Sequence, residues 1–177
     1  MFVLLASWPA TAQLGSGTAE YRSKANFLAT FPSFIDWPDD AFPKSGSPLV
    51  MCVVGDFQFG TSLAEITRSV SPHGRRVEVR WVHKDPELRN CHILFVSHSE
   101  AKRYAKVLQL VQGIDVLTVG ETPDFLSAGG AMSFSFQNEA LQFEVNLVAA
   151  TGAHLRMSSR LLALARRVVN KPEPDKG

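Results

Sequence analysis

Two short stretches of this chain are apolar at almost every position: residues 48–54 (PLVMCVV), closed by Gly55, and residues 92–97 (HILFVS). A strand with one wet face alternates apolar and polar residues. An unbroken apolar run of this length reads as a strand buried on both faces, and such strands belong to mainly parallel sheets covered above and below. Something must therefore supply two covering layers, and the intervening sequence has the helical period to do so.

From Ala19 the apolar residues Tyr21, Ala25, Leu28 and Phe31 recur at helical spacing, until Pro32 restricts the backbone and removes a donor. An aromatic exit, Phe34-Ile35-Asp36-Trp37-Pro38, follows. Residues 61–70 read as a helix. Residues 76–82 alternate Val77, Val79 and Trp81 against Arg76, Glu78 and Arg80, as a half-exposed edge strand would. Residues 99–112 form an amphipathic helix with Tyr104, Val107, Leu108 and Val111 on one side, Ser99 as N-cap and Gly113 as C-terminal stop. Another strand is expected over 115–119.

The last third changes period. Met132, Phe134 and Phe136 alternate with serines, and Leu141, Phe143, Val145 and Leu147 alternate with polar residues, so the two runs should pair as an antiparallel hairpin. A final helix is expected over 155–169, with Arg160, Arg166 and Arg167 toward its C-terminal end, where cations suit the dipole. The expected fold is α/β: a three-layer sandwich with a mainly parallel sheet, a C-terminal antiparallel hairpin, and helices on both faces.

Residues 1–12 (MFVLLASWPATA) match the apolar core and small-x-small cleavage site of a secretory signal, and are too short to span a membrane. No positive charge precedes Arg22, so either the basic start of the signal lies upstream or this is a buried N-terminal strand. The expectation is export, a single domain over 19–169, and a charged, proline-containing tail over 170–177. Eighteen basic against seventeen acidic residues leave no net field to recruit nucleic acid or anionic lipid, and 45% hydrophobic content suffices for a core.

Behind an export signal the two cysteines, Cys52 and Cys91, become a candidate disulfide, since one sits inside the first buried strand and the other opens the second apolar run. The alternative is two neighbouring buried thiols. Residues 55–61 (GDFQFGT) have the G-x-x-x-x-G spacing of a phosphate-binding loop, but Thr61 stands where its Lys belongs and two Phe side chains occupy it. The reading favoured is a tight turn packing Phe57 or Phe59 against the sheet. Asp56, Ser97, Gly120 and Glu121 fall at the carboxyl ends of strands, where α/β sheets place ligands. Glu144 lies on the polar face of the last strand, with Arg156 its nearest basic candidate in sequence. That pair is either a structural ion pair or a clamp for a ligand or partner. Trp37 and Phe42, beside prolines, are core or a partner surface. The five histidines show no metal-ligand spacing, and no nucleophile motif appears; no metal, cofactor or catalytic residue is implied.

Several segments together resemble the YfiR-like family of bacterial periplasmic proteins. They are Asn26-Phe27-Leu28 with Phe34-Ile35-Asp36-Trp37-Pro38; Val50-Met51-Cys52-Val53-Val54-Gly55-Asp56 with Phe59-Gly60; Cys91-His92-Ile93-Leu94-Phe95-Val96-Ser97; Val116-Leu117-Thr118-Val119-Gly120; Phe143-Glu144-Val145-Asn146-Leu147; and Leu155-Arg156-Met157-Ser158-Ser159-Arg160-Leu161-Leu162. The likeness spans nearly all of residues 20–168 and rests on order and spacing. It departs from the family at Pro32, where the helix usually continues, and in having one cysteine pair where some relatives have two. The resemblance implies a periplasmic regulator, not an enzyme, that represses an inner-membrane signalling enzyme by direct contact. That enzyme would be a diguanylate cyclase or a similar membrane sensor protein; the resemblance also suggests a homodimer. The alternative expectation is a periplasmic module that senses a small ligand for another signalling system.

Overall fold

The structure is a computed structural model that describes residues 14–56, 59, 61–138 and 140–170. The expected signal and all of the expected tail except Asn170 lie outside these residues. The chain runs α1 (Leu14–Thr30), β1 (Ile35–Asp36), β2 (Leu49–Val54), α2 (Ser62–Thr67), β3 (Val77–Trp81), β4 (Ile93–Val96), α3 (Tyr104–Leu110), β5 (Leu117–Gly120), α4 (Pro123–Ser127), β6 (Met132–Gln137), β7 (Ala140–Asn146), α5 (Leu147–Gly152), β8 (Arg156–Met157), α6 (Ser159–Leu164) and β9 (Arg167–Val169).

Seven strands form one sheet in the order β3-β2-β4-β5-β6-β7-β9, and β1 pairs with β8 in a separate two-stranded ladder. From β3 to β6 the neighbours are parallel, β6 and β7 form the antiparallel hairpin, and β9 runs parallel to β7. The order reverses at β2, whose two neighbours are β3 and β4, as in doubly wound folds. β2, β4 and β5 are buried at every position. Successive residues point to opposite faces, so each apolar run feeds two cores. Met51, Val53, Ile93, Phe95, Leu117, Val119 and Phe134 pack with Leu28 and Phe31 of the α1 region and Leu63 of α2. Val50, Cys52, Val54, Leu94 and Val96 pack with Tyr104, Val107 and Leu108 of α3 and with Phe125 of α4. The three-layer expectation is met.

Local signals also act as read. Helix α1 stops at Thr30 and a 3-10 turn, Phe31–Phe34, carries Pro32 in its first positions. Gly113 adopts φ 71°, a left-handed conformation that ends the α3 region at little cost only for glycine. β3 is the half-exposed edge strand.

Four readings change. Helix α1 begins at Leu14 rather than Ala19. The 99–112 helix starts as a 3-10 turn, His98–Arg103, and its cap is Ser97, whose hydroxyl accepts from the Ser99 amide, rather than Ser99. Leu147 leaves the hairpin: Asn146 caps α5 by accepting the Ala149 amide at 3.1 Å. The single helix expected over 155–169 is three pieces, β8, α6 and β9. α6 takes Arg160-Leu161-Leu162-Ala163-Leu164, while the helix formers Arg156 and Met157 are drawn into β8 and Arg167 into β9. Beyond Ala165, which is extended, the β-branched pair Val168 and Val169 completes the open edge of β7, where Val145 faces Val168 and Asn146 faces Val169.

Candidate functional site

Glu121, directly after β5, is the most heavily engaged carboxylate at the carboxyl ends of the strands. Its side chain is only 3% exposed and lies 2.7 Å from Lys24 Nζ of α1, itself 4% exposed. The Tyr21 hydroxyl donates to it at 3.2 Å and the His98 amide at 2.7 Å. Burial pushes this carboxyl up, but the Lys24 ammonium and then the His98 amide outweigh it and hold it below the usual carboxylate range. Burial first, and the Glu121 charge second, push the Tyr21 hydroxyl above its ordinary range. Lys24 also sits 4.4 Å from the Tyr21 ring centre. The group is closed on itself and staples α1 to the sheet. Sequence reasoning placed Glu121 on the rim but missed Lys24, although a lysine three residues after Tyr21 on the apolar side of a helix is a signal that it meets a buried partner.

Between β2 and β4, at the reversal of strand order, the chain fills its own crevice. Gly55 adopts φ 94°, and a Cβ there would press on Ser99 Oγ, Glu100 and Ser97. The Asp56 amide donates to Ser99 Oγ at 2.8 Å, while the Asp56 side chain is exposed. Phe59 turns inward and is buried, its ring centre 5.1 Å from Phe95 and 5.3 Å from Tyr21. A hydrophobic plug therefore stands where a phosphate loop would offer free amides; Phe57 and Gly60 lie outside the described residues. In the adjoining 280 Å³ crevice Arg103 is engaged by Asp85 and Glu100, both at 2.7 Å.

Cys52, inside β2, forms a disulfide with Cys91, which enters two residues ahead of the neighbouring strand β4, with Cα atoms 5.8 Å apart. The next residue, His92, bridges two backbone groups. Its Nδ1 accepts from the Val50 amide at 3.0 Å, so Nε2 carries the proton and donates to the Ala41 carbonyl at 3.0 Å. Burial lowers its pKa. Its ring stacks on Phe42 at 4.4 Å, and the Arg75 guanidinium lies 3.8 Å from the Phe42 ring centre. A cavity of about 420 Å³ opens beside it, with Asp40, Arg80, Arg89 and Asp115 in its walls.

Glu144 does not pair with Arg156. Arg167 of β9 reaches it instead, through Nε at 2.9 Å and Nη2 at 2.8 Å, because Glu144 and Arg167 are opposed in the β7–β9 register. Arg156 is exposed on β8, facing Asp36 of β1 in the ladder. Trp37 follows Asp36, half-buried against the core on the α1 side, and its Nε1 is buried without a hydrogen-bond partner among the described residues. The structure thus places Trp37 and Arg156 at one corner and Asp56 and Glu144 elsewhere. It does not gather the four into one cleft. Among the described residues no cluster of three His, Cys, Asp or Glu suits a metal ion, and no helix is long and apolar enough to cross a membrane.

The profile of the YfiR/HmsC-like family matches residues 21–166. No curated protein matches this chain. Among solved structures it is similar to a conserved domain protein from Vibrio cholerae, 12% identical with a TM-score of 0.49, over 68% of this chain and 54% of that one. It is also similar to the ABC domain in complex with L-Trp from Streptococcus pneumoniae, 10% identical with a TM-score of 0.55, over 84% of this chain and 60% of that one. The second likeness is one of α/β fold. This chain spans little more than half the length of either.

Proposed function

The chain belongs to the YfiR/HmsC-like family of regulators in cyclic di-GMP signalling, and from that membership we propose that it acts in the periplasm, repressing an inner-membrane diguanylate cyclase by direct contact. The observation that carries this reading is the family match across nearly the whole described chain. The Cys52–Cys91 disulfide supports an oxidising compartment. The charged groups Glu121, Arg103 and Asp85 at the strand ends support a binding role over chemistry, since neighbours already engage them. Deleting the gene should raise cyclic di-GMP and biofilm formation, and a plasmid copy should reverse both. Unchanged cyclic di-GMP in the deletion strain would overturn the reading.

One observation favours a second reading, a small-ligand sensor. The 420 Å³ cavity beside His92 falls in the size range of ligand sites and carries both Arg and Asp side chains. Under that reading a ligand raises the melting temperature of the purified protein by mass action, whether or not a protein partner exists.

A further inference from the structure

Leu164, the last residue of α6, is 71% exposed, well beyond Trp81 and Val148 at 38% each. Its surroundings are basic. Residues 155–170 contain Arg156, Arg160, Arg166 and Arg167 and no Asp or Glu. Arg160 precedes Leu164 by one helical turn and so lies on the same face of α6, and Arg166 follows it by two residues. Arg156, Arg160 and Arg166 are all exposed, and none of them makes an ion pair or side-chain hydrogen bond among the described residues. Arg167 is different, being held by Glu144. Among the described residues Glu144 is committed to Arg167 and Asp115 to His154, and Asp36 faces Arg156 in the β1–β8 register; Glu173 and Asp175 follow in sequence outside the described residues.

We propose that α6 is the contact surface for an acidic segment of the repressed membrane protein, with Leu164 entering an apolar pocket and Arg160 and Arg166 meeting carboxylates around it; this rests on the direct-contact reading above. An exposed apolar residue with Arg160 one turn before it on the same helix face and Arg166 two residues after it, neither ion-paired among the described residues, has the composition of a binding anchor with a charged rim. Two guanidiniums without an ion-pair partner among the described residues, Arg160 and Arg166, select an acidic partner and steer it. A lipid surface fits less well. Leu161 is buried and Leu162 half-buried on the inner side of α6, which leaves one leucine where an interfacial helix presents a whole apolar face.

The test is photo-crosslinking in living cells, with a photoreactive amino acid at Leu164 and, as a control, at exposed Arg68 in α2's C-terminal cap. The expected result is a crosslink from position 164 to a membrane protein, mapped by mass spectrometry to a peptide rich in Asp or Glu. Its yield should fall about tenfold or more in the Arg160→Glu/Arg166→Glu variant while periplasmic abundance and melting temperature stay unchanged. A crosslink to lipid, to a second copy or to the chain's own terminus overturns the proposal, as does no crosslink or one indifferent to charge reversal. Cyclic di-GMP in the deletion strain is read separately. A normal crosslink with unchanged cyclic di-GMP sinks the regulatory reading and spares the surface; derepression on deletion with no crosslink at 164 does the reverse.

Discussion

Replacing Lys24 by Met tests whether the Glu121 group is the staple that its geometry describes. The substitution keeps most of the side-chain volume and removes the ammonium that Lys24 shares between Glu121 and Glu20 of its own helix, leaving the 3%-exposed Glu121 carboxylate with the His98 amide and the Tyr21 hydroxyl as its donors, while Glu20, 31% exposed, is screened by water. Breaking one side of a buried ion pair typically costs about 3–5 kcal/mol, a large share of the roughly 5–15 kcal/mol that holds an ordinary domain together. The pH dependence gives a second readout. In the native protein the Glu121 carboxyl titrates below its unfolded value, so its contribution is present above about pH 4.3 and is lost as pH falls through the lower folded value. In Lys24→Met the largest lowering cause is gone while burial still pushes the carboxyl up, so it titrates higher than in the native protein and the deficit narrows on acidification. Urea denaturation at pH 7 and pH 4 measures both effects. Adding Glu121→Gln to Lys24→Met should also restore stability, because it removes the orphaned charge, and the two substitutions should be non-additive by about 0.5–3 kcal/mol. A deficit below about 1 kcal/mol at pH 7, or one that is unchanged at pH 4, refutes the reasoning.

Three further outcomes follow from the geometry. Replacing Cys52 and Cys91 together by Ala removes a cross-link of sequence separation 39, worth about 4 kcal/mol in the chain-entropy model, and should lower the melting temperature by roughly 10 °C; a loss under about 1 kcal/mol contradicts it. His92 has a folded pKa below its unfolded one because it is buried, so its contribution is complete above about pH 6.5 and is lost as pH falls through the lower folded value. Melting curves at pH 7.5 and 5 should therefore lose stability more steeply for the native protein than for His92→Leu, and parallel losses would disprove the role. A double-mutant cycle of Glu144→Ala with Arg167→Ala should show a coupling of about 0.5–1 kcal/mol, modest because Arg167 is 47% exposed, while the same cycle with Arg156→Ala should show none.

The layered architecture was legible because each signal behind it is local. The apolar runs at β2 and β4, the alternation of β6 and β7, Pro32 and Gly113 act through the backbone of their own segments. The final segment misled because its helix formers outnumber its strand formers. What decided it was the unpaired edge of β7, which lies outside the segment and takes up Arg167–Val169. The same limit applies to charge pairing. Glu144 found Arg167, 23 residues away, rather than the nearer Arg156, and Glu121 found Lys24, 97 residues away.

The sequence by itself determined that this chain builds a covered, mainly parallel sheet carrying an antiparallel hairpin, that Cys52 lies inside one buried strand and Cys91 just ahead of another, and that the segments characteristic of its family occur in order. Those properties depend on periodicity and on side chains that bury wherever they stand. Only the tertiary structure decided that Phe59 plugs the loop after β2, that Lys24 closes over Glu121, that His92 joins the Ala41 carbonyl to the Val50 amide, and that Leu164 is left outside near Arg160 and Arg166, which have no ion-pair partner among the described residues. Each of these requires groups from distant segments to arrive at one place, and hydrogen bonds and ion pairs depend on distance and direction in space, which a linear pattern does not encode.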